Sequence, residues 1–290
     1  MKFFRLGLSL ILLSTACARS AQVMEPSPDA SLPSLPVVSP SVRSWTIMPD
    51  GESHAYTSRA VTTLELRTDS GAVRDSFTIV LDFSARVEQS EAVSRIGGTI
   101  DRLERQSHAQ ASEAEAATGL PLPFSGRILS GGLVLDSLAG RVVGTVADCE
   151  NAGLNQMAVV QRNLPVVPFV LRTGMSWTDS STVAACTGTV PVQLTTVRNY
   201  RVLGEARNSG SPAIVLDRTD RITATGEGTQ GQHRIGVQAA GTGSARIFLE
   251  PGTGLLKLNE GEYRTEVVVR SSGRLQRFVQ VAKERTTRTR

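Results

Sequence analysis

The residue types that most often carry catalysis are sparse in this 290-residue chain. Its three histidines, His54, His108 and His233, are too far apart for a metal-binding spacing such as His-Glu-x-x-His. The Gly-x-Ser-x-Gly turn that carries the nucleophile of many hydrolases does not occur. The acidic residues form no pair that the sequence alone identifies as a general acid and base. We therefore expect no enzyme, no metal and no cofactor.

One glycine-rich segment, Gly226 to Gly231, matches the dinucleotide-binding pattern G-x-G-x-x-G. That pattern binds a pyrophosphate only where a helix begins at its last glycine. Here the following residues, His233 to Ala239, alternate between apolar and polar side chains, which is typical of a strand. The sequence therefore predicts a glycine-rich hairpin turn at this position.

The elements that would position any site have a period of two. Apolar residues alternate with polar ones, so each strand has one apolar face. Residues on such faces are Phe77, Ile79, Leu81 and Phe83 in an early strand, and Tyr263 and Val267 in a late one. Short turn sequences separate strands of about 12 to 16 residues, which favours antiparallel pairing and curvature. We predict a mainly β fold: a long-stranded antiparallel curved sheet or half-barrel with one or two short helices.

Two segments favour helix. The alanine-rich stretch from Ser107 to Thr118 predicts a short exposed helix or a mobile loop. The stretch from Asn151 to Asn163 places Leu154 and Met157 on one face and stops before Pro165. We therefore expect a single antiparallel domain over residues 44–290, with a helical insertion at about 107–165.

The first residues read as an export signal. A basic start, an apolar run of eight residues and a run of small residues follow one another over residues 1–16, as in a secretory signal peptide. Residues 17–43 are rich in proline and serine and lack a consistent apolar period, which predicts an extended tether.

The end of the signal, Leu13-Ser14-Thr15-Ala16-Cys17, resembles the lipobox of bacterial lipoproteins, although Ser14 stands where that family usually has leucine. The resemblance implies that the Cys17 thiol receives a lipid and anchors the chain to the membrane. With Ala18 after the cysteine, it implies the outer membrane, facing the periplasm. The alternative is ordinary cleavage after Ala18, which would give a soluble periplasmic or secreted protein. Both alternatives export the chain.

Lipidation at Cys17 would leave an even number of cysteines. Cys149 and Cys186 would then remain in an oxidising compartment, where pairing is favoured. We expect a disulfide between them that pins the predicted helix to the sheet. The alternative is two separate buried thiols.

The segment from Gly174 to Asp179 (GMSWTD) resembles a signature of uncharacterised bacterial envelope lipoproteins in which long strands follow. We expect its tryptophan, Trp177, to be a packing anchor for the sheet.

A lipobox-like start, a tether, long strands and a pinned helix together resemble the half-barrel envelope carriers of the LolA, LolB and LppX type. The resemblance is architectural and implies a cavity for a lipid or another apolar ligand. From the alternating pattern we expect the apolar strand faces above to line this cavity, and we expect the helix that carries Leu154 and Met157 to cover it. The alternative is a structural protein with a filled core that docks onto another envelope protein. Aromatic residues are only 4% of the chain and its formal charge is +4, so we expect no nucleic-acid partner.

Overall fold

The computed structural model describes residues 42–68, 71–88, 94–108, 115–116, 119–129, 132–138, 141–142, 149, 153–187, 190–230 and 232–289. The predicted signal peptide, Cys17 and nearly all of the predicted tether lie outside these residues. Within them the protein is mainly β, which confirms the predicted fold class.

The described part of the chain forms fifteen strands and one helix, α1 (Gly153–Asn163). The strands are β1 (Ser44–Thr46), β2 (His54–Thr68), β3 (Gly71–Glu88), β4 (Ser94–Ser107), β5 (Glu115–Ala116), β6 (Leu122–Leu129), β7 (Gly132–Leu138), β8 (Arg141–Val142), β9 (Val170–Arg172), β10 (Ser176–Thr187), β11 (Val190–Asn208), β12 (Ser211–Gln230), β13 (His233–Leu249), β14 (Leu256–Ser271) and β15 (Arg274–Arg288). The last six strands are 12 to 20 residues long, somewhat longer than predicted.

Thirteen strands form one antiparallel sheet, in the order β10-β11-β12-β13-β14-β15-β2-β3-β4-β6-β7-β8, with β5 on β4. The remaining strands, β1 and β9, pair with each other. The sheet curves so strongly that β7 approaches β10, and a Cβ atom at Gly132 would collide with the carbonyl oxygen of Ser180. The curved sheet is therefore nearly closed.

In the predicted helical insertion at 107–165, the described residues before α1 are mostly strand and not helix. Ser107 ends β4, and β5 to β8 occupy most of the described residues between it and α1. The second predicted helix is present as α1, which begins at Gly153 and ends at Asn163. Of the alanine-rich stretch the structure describes residues 107–108 and 115–116, and these are not helical. The alanine-rich stretch has no large apolar residue that a helix could bury, whereas strand β4 offers backbone hydrogen-bonding groups at its edge, which β5 uses.

The turns follow the predicted hairpins closely. Ser272 and Gly273, with φ of 46° and 80°, connect β14 to β15, and a left-handed backbone there suits a tight hairpin. The glycine-rich segment differs from prediction in one respect: Gly226 and Gly228 lie within β12, and the strand reverses only after Gln230. A strand leads in and another leads out, so no helix begins there.

One end of the curved sheet is a closed apolar core, which we call the base. Tyr56 and Phe83 stack there with ring centroids 5.2 Å apart. Other side chains of the base, each almost fully buried, are Leu81, Ile100, Leu171, Val202, Leu216, Ile247 and Leu249. The described helix is too short to cross a membrane.

Candidate functional site: the inner face of the sheet

The inner face is the face of the sheet against which α1 packs. Strand register brings its residues into rows across the sheet, because facing residues of neighbouring strands project to the same side. One row contains Asp179, Arg198 and Asp220, and the next contains Tyr200 and Arg218. Three regions of this face can be distinguished from one end to the other: the base, a polar layer and an apolar mouth.

The polar layer is a set of charged side chains removed from water. Its members are Asp179, Arg198, Arg218, Asp220 and Glu284 on the sheet and Arg162 on α1. Three cations face three carboxylates, so the layer is balanced in charge. The five sheet residues are at most 4% exposed.

Two arginines of the polar layer hold the C-terminal end of α1. Arg198 Nη1 donates to the carbonyl of Gln161 at 2.8 Å, and Arg218 Nη1 donates to the carbonyl of Arg162 at 2.9 Å. The last carbonyls of a helix have no partner within the helix, and cations are favourable near that end. Each arginine also pairs with a carboxylate, Arg198 with Asp179 and Arg218 with Asp220. The layer therefore fixes α1 to the sheet.

Glu284 is the third carboxylate of the layer, and its side chain is fully buried. It accepts hydrogen bonds from Ser58 Oγ at 3.0 Å and from the Asn163 side chain, and it lies 2.7 Å from Arg162 Nη2. Asn163 also accepts a hydrogen bond from Asn259. The last turn of α1 is thus joined to β14 and β15 by polar contacts, and Ser58 of β2 binds the same carboxylate of Glu284.

Glycines make room for the aromatic ring of the layer. A Cβ atom at Gly243 would collide with the ring of Tyr263, and one at Gly261 would lie 2.9 Å from its hydroxyl oxygen. The guanidinium of Arg162 lies over the same ring, 4.6 Å from its centroid, in cation–π geometry. Tyr263 also accepts a hydrogen bond from Arg218.

Burial shifts the pKa of several ionisable groups in and beside the polar layer. Burial raises the pKa of the Tyr200 and Tyr263 hydroxyls, so both remain protonated. Burial also raises the pKa of Asp179, an effect that the attraction of Arg198 opposes. No described group of three or more His, Cys, Asp or Glu residues is arranged to hold a metal ion. The layer is suited to holding α1 and to keeping water from the base.

Beyond the polar layer, towards the tips of the β12–β13 and β14–β15 hairpins, the inner face is apolar again. Seven neighbouring strands each contribute one apolar residue to a single row. These residues, called the apolar mouth below, are Leu194, Ala224, Ala239, Val267, Phe278, Leu66 and Val73. Most are half-buried, and Val73 at the rim is 62% exposed. Apolar surface of this kind is available to a ligand.

The structure separates the predicted ligand-binding residues into these regions. Leu81 and Phe83 belong to the closed base, and Tyr263 belongs to the polar layer. Phe77, Ile79 and Val267 are half-buried on the inner face. The guanidinium of Arg105 lies over the ring of Phe77 at 4.5 Å.

The side chains of Leu154 and Met157 lie outside the described part of the structure. The described side chains that dock α1 are apolar ones, Val159 and Val160, and polar ones from its last turn, Gln161, Arg162 and Asn163. The sequence analysis predicted an apolar docking face for this helix and did not predict its polar contacts. The sequence does contain one indication of a buried polar contact. Charged residues occupy inner-face positions of strands β11 and β12, at Arg198, Arg218 and Asp220.

Cys149 and Cys186 lie as a disulfide pair, with Cα atoms 5.5 Å apart. This is within the range of disulfide geometry. Cys149 precedes α1 in the chain and Cys186 is near the end of β10. The pair therefore connects the chain just before the helix to the edge of the sheet, whereas the polar layer holds the other end of the helix.

Trp177 is a packing anchor, as predicted. Its indole stacks on Tyr200 with centroids 4.8 Å apart, and Nε1 donates to the carbonyl of Val166 at 3.0 Å. The contact joins β10 to the segment that follows α1.

The outer face of the long strands differs from the inner face. Ion pairs cross neighbouring strands there, for example Arg246 with Asp217 at 2.9 Å and Arg285 with Glu260 at 3.0 Å. A sheet that faces lipid presents an apolar band on its outer side. The charged ladders instead mark this part of the outer face as a surface in contact with water.

The chain matches no protein-family model and no curated protein sequence. Among solved structures it is similar to Pseudomonas aeruginosa OccK2 (OpdF), with 7% identity and a TM-score of 0.27 over 82% of this chain and 98% of that one. The glucuronate complex of OccK2 gives 8% identity and a TM-score of 0.25, with 82% and 99% covered. A structure described as "Asymmetric conductivity of engineered proteins" gives 6% and 0.21, with 82% and 100% covered. Likeness at this level carries no functional argument.

Proposed function

We propose that this protein is an exported, lipid-anchored protein of the bacterial envelope that binds an apolar ligand at the mouth of its curved sheet, without catalysing a reaction. The observation that carries the proposal is the apolar mouth itself: a continuous, mostly half-buried apolar row on the inner face of a sheet whose outer face carries ion pairs. A water-soluble carrier of an apolar molecule needs this arrangement, with apolar side chains inside and charges outside.

The energetics favour such a ligand. Covering about 200 Å² of apolar surface at the mouth would contribute about 5 kcal/mol to binding before ordering costs. The polar layer lies below the mouth and would stop an acyl chain or similar ligand from entering the base. We therefore expect a shallow site, with Val267 and Phe278 in its floor and Val73 at its rim.

A matched pair of substitutions on β14 tests the site. Val267 faces inward in the mouth, whereas its neighbour Val268 faces outward, and both are half-buried. We expect Val267→Asp to weaken binding of an environment-sensitive apolar dye at least tenfold and Val268→Asp to change it less than twofold. Fatty acid should displace the dye from the unmodified protein. Thermal unfolding of both variants checks that they fold.

Two results would contradict ligand binding at the mouth. One is the absence of saturable dye binding to the folded protein, and the other is an equal loss of binding in the two variants. Either would leave the alternative of a protein that docks onto another envelope component. Crosslinking in intact cells would then be expected to trap a stoichiometric partner.

The lipid anchor has a separate test. Radiolabelled palmitate should be incorporated into the unmodified chain and not into Cys17→Ser, and the labelled protein should fractionate with the outer membrane. Recovery of unlabelled soluble protein would instead support cleavage after Ala18. This outcome would leave the proposal of an apolar ligand intact.

A further inference from the structure

A groove of about 690 Å³ lies beside the tips of two neighbouring hairpins, β12–β13 and β14–β15. We call it the arginine groove, because Arg234, Arg270 and Arg274 line it. It is distinct from the apolar mouth: Arg234 and Arg270 project to the outer face, since their neighbours in sequence, Ile235 and Val269, face inward. The proposed apolar ligand does not account for this groove.

The charges of the groove are unequal. Arg234 pairs with Glu227, the one carboxylate in the lining. For Arg270 and Arg274, no ion pair is found among the residues that the structure describes, and both are exposed. Within the described residues, the guanidinium groups of Arg270 and Arg274 therefore have no carboxylate partner in the groove.

The arginine groove also contains open space and further hydrogen-bond donors. Gly236 is the cross-strand partner of Arg270, and a Cβ atom at Gly236 would meet no atom within 4 Å, so the groove is open at this position. Side-chain amides of Gln193 and Gln238 line the same groove. On another side lies Leu275, which is 48% exposed. Guanidinium groups, glutamine side chains and the apolar side chain of Leu275 therefore line the same groove.

We propose that the arginine groove binds a phosphate-bearing anion. A guanidinium presents parallel N–H donors that match the oxygens of a phosphate group, and charge-assisted hydrogen bonds of this kind are stronger than neutral ones. A phosphate ester is small compared with the volume of the groove, and Leu275 would contact the apolar part of a larger molecule. The same chemistry is presented by a free phosphate compound and by the headgroup of an anionic phospholipid.

The test uses the full mature chain with Cys17→Ser, so that no lipid anchor contributes. The probes are inorganic pyrophosphate in titration calorimetry and vesicles of phosphatidylcholine with or without phosphatidylglycerol in a sedimentation assay. Arg270→Gln is the groove variant. Arg264→Gln on the outer face of the same strand is its control, because it removes the same charge away from the groove.

We expect at least one probe to bind, with about tenfold weaker binding in Arg270→Gln and less than twofold weaker binding in Arg264→Gln. Binding of pyrophosphate would assign a free phosphate compound, and binding of phosphatidylglycerol vesicles alone would assign a lipid headgroup. No binding of either probe would overturn the proposal. So would equal losses in the two variants, because these would indicate a general effect of positive charge. Dye binding at the mouth should not change in Arg270→Gln, so failure of one proposal is separable from failure of the other.

Discussion

Two ion pairs of this protein join neighbouring strands in opposite surroundings. On the inner face, Arg198 and Asp179 are paired with side chains 0% and 1% exposed. On the outer face, Lys283 and Glu262 lie 3.9 Å apart with side chains 68% and 58% exposed. Both link a cation to a carboxylate across an antiparallel ladder. The surroundings decide what each pair contributes.

A buried pair loses its hydration, and its mutual attraction barely compensates for that loss, but removal of one partner leaves an isolated charge in the interior. An exposed pair is screened by water and salt and contributes little. Hydrogen bonding in and beside the polar layer is incomplete: Arg198 Nη2 in the layer, and Gln161 Oε1 and Asn259 Oδ1 next to it, have no hydrogen-bond partner in the described part of the chain. The layer is therefore better understood as a device that selects one position for α1 than as a source of net stability.

The largest effect should come from breaking the inner pair. We expect Asp179→Ala to lower the free energy of unfolding by about 3 to 5 kcal/mol, because Arg198 remains buried without its carboxylate. Glu262→Ala on the outer face should change it by less than about 0.5 kcal/mol. Urea denaturation of both variants measures the difference. A cost below about 1 kcal/mol for Asp179→Ala would show that the inner site admits water.

The second effect concerns the other attachment of α1. Replacement of Cys149 and Cys186 together by serine should lower the free energy of unfolding by about 3 to 4 kcal/mol, since the bridge closes a loop of 37 residues. We expect the polar layer to keep the end of the helix docked in this variant. Thiol titration of the denatured, unreduced Cys17→Ser protein should find no free sulfhydryl. Two free thiols would refute the bridge.

Two glycines of β13 allow the inner and outer faces to be compared by their packing instead of their charges. Gly243 is on the inner face against the ring of Tyr263, and Gly236 is on the outer face with open space above it. We expect Gly243→Ala to lower the free energy of unfolding by about 1 to 3 kcal/mol through overpacking. Gly236→Ala should be neutral or slightly stabilising, because a strand glycine loses more entropy on folding than alanine. Equal effects in thermal denaturation would contradict the assignment of the two faces.

The last comparison, also with a small expected effect, concerns a pair of intermediate exposure, Arg288 and Glu250, with side chains 19% and 36% exposed. A hydrogen bond from Arg288 lowers the pKa of Glu250 below its ordinary value. The pair should therefore add less than about 1 kcal/mol at neutral pH, and this is lost as the pH falls through the lowered pKa of the folded state. Unfolding of Glu250→Gln and the unmodified protein should differ at pH 7 and converge towards pH 3.

Much of the sheet could be predicted from the sequence, because an alternating pattern such as Phe77 to Phe83 specifies a strand and its two faces locally. The polar layer could not, since Asp179, Arg198 and Glu284 meet only after distant strands are brought together. Alternation assigns an arginine to one face of a strand but does not indicate that α1 will cover it. In the alanine-rich stretch the described residues Glu115 and Ala116 pair with β4 instead of forming a helix, because helix propensity is weak compared with pairing at an exposed strand edge.

The pairing of β15 with β2 has a consequence for the order of assembly. Ser58 and Glu284 are 226 positions apart in the chain and are hydrogen-bonded to each other. The meander from β10 to β15 and the group from β2 to β8 can each form by hairpin contacts, but the ladder between β15 and β2 is the seam that joins them. Such long-range contacts form slowly because the loop entropy must be overcome first. During biosynthesis the ladder between β15 and β2 cannot form until β15 has been made. Until then the apolar inner surfaces of the two groups of strands are exposed and must be kept from aggregating in some other way.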